Sequence, residues 1–89
     1  MSKEVTHERE KTHGPYQGCA GRSQQIKDVF RKSANYDKMR NTQRESLDMI
    51  ANKLGRILTG DKNHPDHWLD ISGYAMLVYK DLTEVKEPF

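Results

Sequence analysis

The feature that most constrains this chain is where its apolar residues sit. Seventeen of them fall within the 36 positions from Leu47 to Leu82, whereas the 46 positions before that segment hold only eleven. Whatever core the chain builds must come chiefly from its second half. At 89 residues the chain makes one small domain, and a domain of this size buries only about 60% of the surface its unfolded chain exposes. Cys19 is the single cysteine, which excludes an internal disulfide, and a structural zinc site would want more thiolates. With no such staple, subunit association is the expected source of further burial. The longest mainly apolar stretch, Ile71 to Tyr79, is far short of the ~20 residues of a membrane-spanning helix. The N-terminal sequence carries no apolar run of signal-peptide type. The expectation is a soluble cytoplasmic protein with no membrane role.

Periodicity gives an all-α fold. Apolar residues at 47, 50, 51, 54, 57 and 58 mark one helical face. Thr42 and Glu45 have the spacing of a capping box, and Gly60 is placed to end the helix in a left-handed conformation. After the polar turn Asp61-Lys62-Asn63-His64, Pro65 suits the first position of a second helix. That helix carries apolar residues around most of its circumference, from Trp68 to Leu82, and is expected to be buried on more than one side. Gly73 within it suggests a close backbone approach or a tolerated cost. The result is a helical hairpin, about 42–59 and 65–82. Two weaker helices, 2–12 and 23–32, precede it, separated by the break His13-Gly14-Pro15-Tyr16. No stretch alternates with a strand's period. The core is therefore 42–82, with a peripheral, basic segment 1–41, and oligomerisation is expected to complete it.

Charge is as uneven as hydropathy. Lys and Arg outnumber Asp and Glu by five up to Arg44, and Asp and Glu outnumber Lys and Arg by three from Glu45 onward. Glu45 and Asp48 share a face of the first strong helix, and Asp66 and Asp70 share a face of the second. Two acidic pairs facing one another would hold magnesium, which takes oxygen ligands and bridges to substrate phosphates. Local roles compete with this reading: Glu45 closes the capping box and Asp66 sits at a positive helix end. Lys53 and Arg56 can grip phosphate or complement the negative end of their own helix. Lys27, Arg31 and Lys32 form a further basic cluster, but no nucleic-acid-binding signature accompanies it, so nucleic acid is not the expected partner. His13, His64, His67 and Cys19 match no zinc spacing, and neither Cys19 nor Ser23 has an identifiable base for nucleophilic catalysis.

The motifs Lys53-x-x-Arg56-Ile57-Leu58-x-Gly60 and Asp66-x-Trp68-x-Asp70-Ile71-x-Gly73-Tyr74-Ala75, with Gln43-Arg44-Glu45-x-Leu47-x-Met49-Ile50 and His13-Gly14 before them, resemble a family of short phage and prophage proteins. That family in turn resembles the all-α nucleoside triphosphate pyrophosphatases, the MazG-like and dimeric dUTPase-like enzymes. The resemblance implies magnesium held by Glu45, Asp48, Asp66 and Asp70. Glu45, Asp48 and Asp70 would be catalytic, and Lys53 and Arg56 would lie on phosphate. It further implies a homo-oligomer that binds a nucleotide and hydrolyses it to monophosphate and pyrophosphate. The departures are Arg44, where the enzymes double their glutamate, and the four-residue spacing of Asp66 and Asp70, where theirs is three. Loss of metal ligands weakens catalysis before binding, so the alternative is a non-catalytic nucleotide sponge or an inhibitor of a host defence protein.

Overall fold

The computed structural model describes residues 15–84, which form three α-helices joined by short connections. We number them α1 (Tyr16–Arg31), α2 (Asn41–Thr59) and α3 (Pro65–Thr83), with a 3-10 turn at Tyr36–Lys38 between α1 and α2. The all-α expectation and the hairpin of α2 and α3 hold. The helix expected over 2–12 lies outside the described residues.

α1 begins seven residues earlier than its apolar spacing predicts. Pro15 caps it with an extended ψ of 134°, and its carbonyl accepts from the Cys19 amide at 3.0 Å. Gly18 and Gly21 weaken this stretch by propensity, yet Cys19 and Ser23, one turn apart, are buried against α2. Tertiary packing thus overrides local preference here. α2 also starts earlier than expected. The amide of Arg40 donates to Gln43 Oε1 at 2.9 Å, closing the first turn in place of the Thr42–Glu45 box. The Thr42 hydroxyl instead donates to Asp81 Oδ2 on α3 at 2.8 Å. Gly60 ends α2, but with φ −117° and not in the left-handed region. The turn to α3 closes with the Asn63 amide donating to Asp61 Oδ1 at 2.9 Å, and Pro65 opens α3 as its sequence suggests.

Pairings across α2 and α3 fix their direction. Thr42 meets Asp81, Arg40 meets Asp81 and Lys53 meets Asp70; as one residue number rises the other falls, so the helices run antiparallel. α1 is antiparallel to α2 by the same criterion, with Cys19 on Thr59 and Ser23 on Asn52. α1 and α3 each pack on α2 and make no comparable contact with one another.

The α1–α2 seam is built from small residues. Ala51 and Gly55 of α2 face Cys19 and Ser23 of α1, and a Cβ at Gly55 would lie 2.6 Å from the Cys19 carbonyl oxygen. Gly55 is therefore the close-approach glycine. Gly73, which the sequence suggested for that role, has open space around its Cα. Thr59 donates its hydroxyl to the Gly55 carbonyl at 2.8 Å and lies 2.9 Å from Cys19 Sγ, while Ser23 donates to Asn52 Oδ1 at 2.7 Å.

The core is thin: among the described residues the buried apolar side chains are Cys19 and Ala51, joined by Ser23, Ser46 and His67. The expectation that α3 is buried on several sides fails within one chain. Its α2-facing stripe is His67, Asp70, Ile71, Tyr74, Val78 and Asp81. Trp68, Leu69, Met76, Tyr79 and Leu82 are 50% to 67% exposed. No helix of the described residues is long and apolar enough to cross a membrane.

Candidate functional site

Because α1 and α3 flank α2 without closing on each other, one ridge of α2 remains open between them. Helical spacing places Glu45, Met49, Asn52 and Arg56 along that ridge. The two ends of α2 differ in chemistry.

At the end formed by the start of α2 and the finish of α3 is an open groove of about 990 Å³ lined by Tyr36, Arg44, Glu45, Asp48, Tyr74 and Asp81, among others. Tyr36 is delivered by the 3-10 turn and stacks on Phe30 with ring centroids 6.4 Å apart. Its hydroxyl donates to both carboxylate oxygens of Asp48, at 3.3 and 3.4 Å. Partial burial, then the negative charge and hydrogen bond of Asp48, raise the phenol above its ordinary value, while Arg44 and Arg31 oppose the shift. Asp81 anchors the groove: it accepts from Thr42 and from the Arg40 guanidinium at 3.2 Å, and its side chain is 13% exposed.

The other end is cationic. Lys53 Nζ lies 2.8 Å from Asp70 Oδ2, and the lysine side chain is 13% exposed. Its hydrogen bond is the main cause that holds the Asp70 carboxyl below its usual range. Partial desolvation opposes this, and the charges of Lys53, His67 and Arg56 add to it. Arg56 is thus close enough to act on Asp70, and it makes no ion pair among the described residues. His67, fully buried, meets His64 edge-on with centroids 4.7 Å apart. His64 Nε2 is 3.9 Å from Asp66 Oδ2.

The four carboxylates expected to gather round magnesium are not assembled within one chain. By the antiparallel register Glu45 lies across from about residue 78, which is roughly 18 Å along α3 from Asp66. Glu45 and Asp48 line the groove, Asp70 is paired with Lys53, and Asp66 is exposed beside His64. Among the described residues no group of three or more His, Cys, Asp or Glu side chains is placed to hold a metal ion. A magnesium site drawing on both acidic pairs therefore does not fit this arrangement: the Lys53 ammonium already holds the position beside Asp70 that a metal would need.

Sequence reading singled out Lys53, Arg56 and Asp70 and placed them on facing helices, where the structure brings them together. Asp81, Arg40 and Tyr36 were missed as site-forming residues. The register that pairs Lys53 with Asp70 would have found Asp81, since it also brings Thr42 opposite that residue. Comparison with protein-family models, curated proteins and solved structures gave no match to this chain.

Proposed function

We propose that this protein is a non-catalytic nucleotide-binding module whose ligand lies along the open ridge of α2. The observation that carries this reading is the contrast between the two ends of α2, a groove at one and a cationic cluster at the other. Tyr36 and Tyr74 with Asp48 stand at one end, and Lys53 and Arg56 stand at the other. Aromatic rings suit a nucleobase face, and a carboxylate accepts hydrogen bonds from exocyclic amines. Eight residues separate Asp48 from Arg56, about 12 Å along the helix, a length that suits a base at one end and phosphate at the other. Arg56 supplies the phosphate contact, since arginine can grip phosphate oxygens bidentately; Lys53 turns from Asp70 to phosphate or stays as its neutraliser.

Magnesium-dependent release of pyrophosphate has no support in the arrangement of Glu45, Asp48, Asp66 and Asp70, which is why binding is proposed without turnover. A thermal-shift panel of ribo- and deoxyribonucleoside triphosphates, with magnesium and with chelator, tests the reading. The expected result is stabilisation by at least one nucleotide in either condition, on the order of 2.7 kcal/mol at a hundredfold excess over Kd. That stabilisation should be lost in Arg56→Ala and in Tyr74→Ala. Silence across the whole panel would reject nucleotide binding, and pyrophosphate release that needs magnesium would restore the hydrolase reading.

A further inference from the structure

α3 carries a second apolar face that the chain itself leaves uncovered. Trp68, Ser72, Ala75, Tyr79 and Leu82 recur at alternating spacings of four and three, the seam pattern of a helix that packs on another helix. All five are exposed. Leu69 and Met76 widen the same face, and they are 67% and 50% exposed. The stripe points away from α2, whose contacts are made by His67, Tyr74 and Val78 on the other side of α3.

No other segment of the chain suits this face. The 14 residues before Pro15 contain only Met1 and Val5 as apolar side chains amid eight charged residues or histidines. The face does match itself. With two α3 helices antiparallel and the two-fold axis between Ser72 and Ala75, Ser72 meets the partner's Ala75, so small residues lie where the backbones come closest. In the same register Trp68 meets the partner's Tyr79 and Leu82 meets the partner's Pro65, with Leu69 and Met76 flanking the seam. Large side chains thus fall at both ends and small ones at the centre. At roughly 150–250 Å² for each large side chain and the exposures above, the five large residues remove about 500 Å² per chain from water. The pair removes ~1,000 Å², the size a specific interface has to reach, before any polar rim is counted. Apolar burial of this kind is what the thin internal core lacks.

We propose that this protein is a homodimer in solution, formed by antiparallel packing of α3 on the α3 of a second copy about a two-fold axis between Ser72 and Ala75. Light scattering coupled to size exclusion on the full chain should give twice the chain mass. Ala75→Arg, which sets two cations near the axis, should give the single-chain mass with unchanged far-UV circular dichroism. Should that variant fail to fold, Met76→Lys offers the same test from the edge of the face. Direction is read by cross-linking with a short bismaleimide: Ser72→Cys should couple into dimers and Leu82→Cys should not, because the two copies of residue 82 lie about 25 Å apart in the antiparallel pair. Equal coupling at both positions, or a dimer that survives both charge substitutions, overturns the proposal. So does a wild-type monomer, and Trp68 fluorescence then tells what covers the face. Blue-shifted emission in the monomer assigns it to the N-terminal segment, and red-shifted emission leaves it to a different protein.

Discussion

Two glycines inside helices make opposite predictions when changed to alanine. On propensity alone each substitution should stabilise the protein by up to ~1 kcal/mol. At Gly73 nothing lies within 4 Å of the added methyl, so that gain should be realised. At Gly55 the methyl would sit 2.6 Å from the Cys19 carbonyl oxygen, 3.3 Å from the Ser23 amide nitrogen and 3.4 Å from the Ser23 Cβ. The first two are backbone atoms of a packed helix and the Cβ is bonded directly to that backbone, so none can rotate away as a side-chain tip can. α1 must move off α2 by more than half an ångström, stretching the Ser23–Asn52 and Cys19–Thr59 contacts. Overpacking of this kind costs about 1–3 kcal/mol, and the upper half of that range applies where the obstacle is backbone. Subtracting the propensity gain leaves Gly55→Ala less stable than wild type by about 1–2 kcal/mol. Each kcal/mol lowers Tm by about 4–8 °C in a domain of this size. Urea and thermal unfolding, at one fixed protein concentration for all three proteins, measure the difference. Gly73 borders the α3 face assigned to dimerisation, beside Leu69 and Met76, so light scattering on each variant accompanies the unfolding measurement. Equal or greater stability of Gly55→Ala would refute the close-approach argument, and a destabilised Gly73→Ala would refute the open-space one.

Two further outcomes follow from the α2–α3 seam. Thr42→Val removes the hydroxyl that donates to the mostly buried Asp81 carboxylate and should cost about 1 kcal/mol; a urea midpoint equal to wild type would show that water replaces it without loss. Asp70 is depressed in the folded state by Lys53, so its contribution is fully present above the unfolded carboxyl value of 3.8. It is lost as pH falls through the lower folded value. The stability difference between wild type and Lys53→Met should therefore be constant near neutrality and shrink on acidification below the unfolded value. Carbon-detected NMR titration of Asp70 should move up towards the ordinary range in Lys53→Met, and an unmoved titration would remove Lys53 as the cause.

The hairpin was legible because α2 and α3 each carry a sustained 3.6-residue pattern and Pro65 marks where the second begins. Helix starts were less legible, because they depend on partners distant in sequence. Thr42 looks like a cap until Asp81 takes its hydroxyl, and Cys19 lies outside the helix that apolar spacing predicts until Gly55 lets α1 approach. The candidate site divided along the same line. Lys53, Arg56 and Asp70 could be placed on facing helices from spacing, but spacing along each helix says nothing of the offset between them. That offset sets Glu45 and Asp66 several turns apart. The breadth of apolar residues on α3 predicted burial on more than one side, which a single chain does not provide, because spacing along one helix says nothing of how many neighbours it has.

The two seams of α2 differ in stiffness. On one, backbones touch across glycine and serine, leaving no free travel; on the other, contact is carried by long side chains such as Lys53 and Arg40 that can swing without losing their partners. A group that displaces Lys53 from Asp70 can therefore be accommodated by side-chain rearrangement on the second seam, whereas the glycine seam offers no such adjustment.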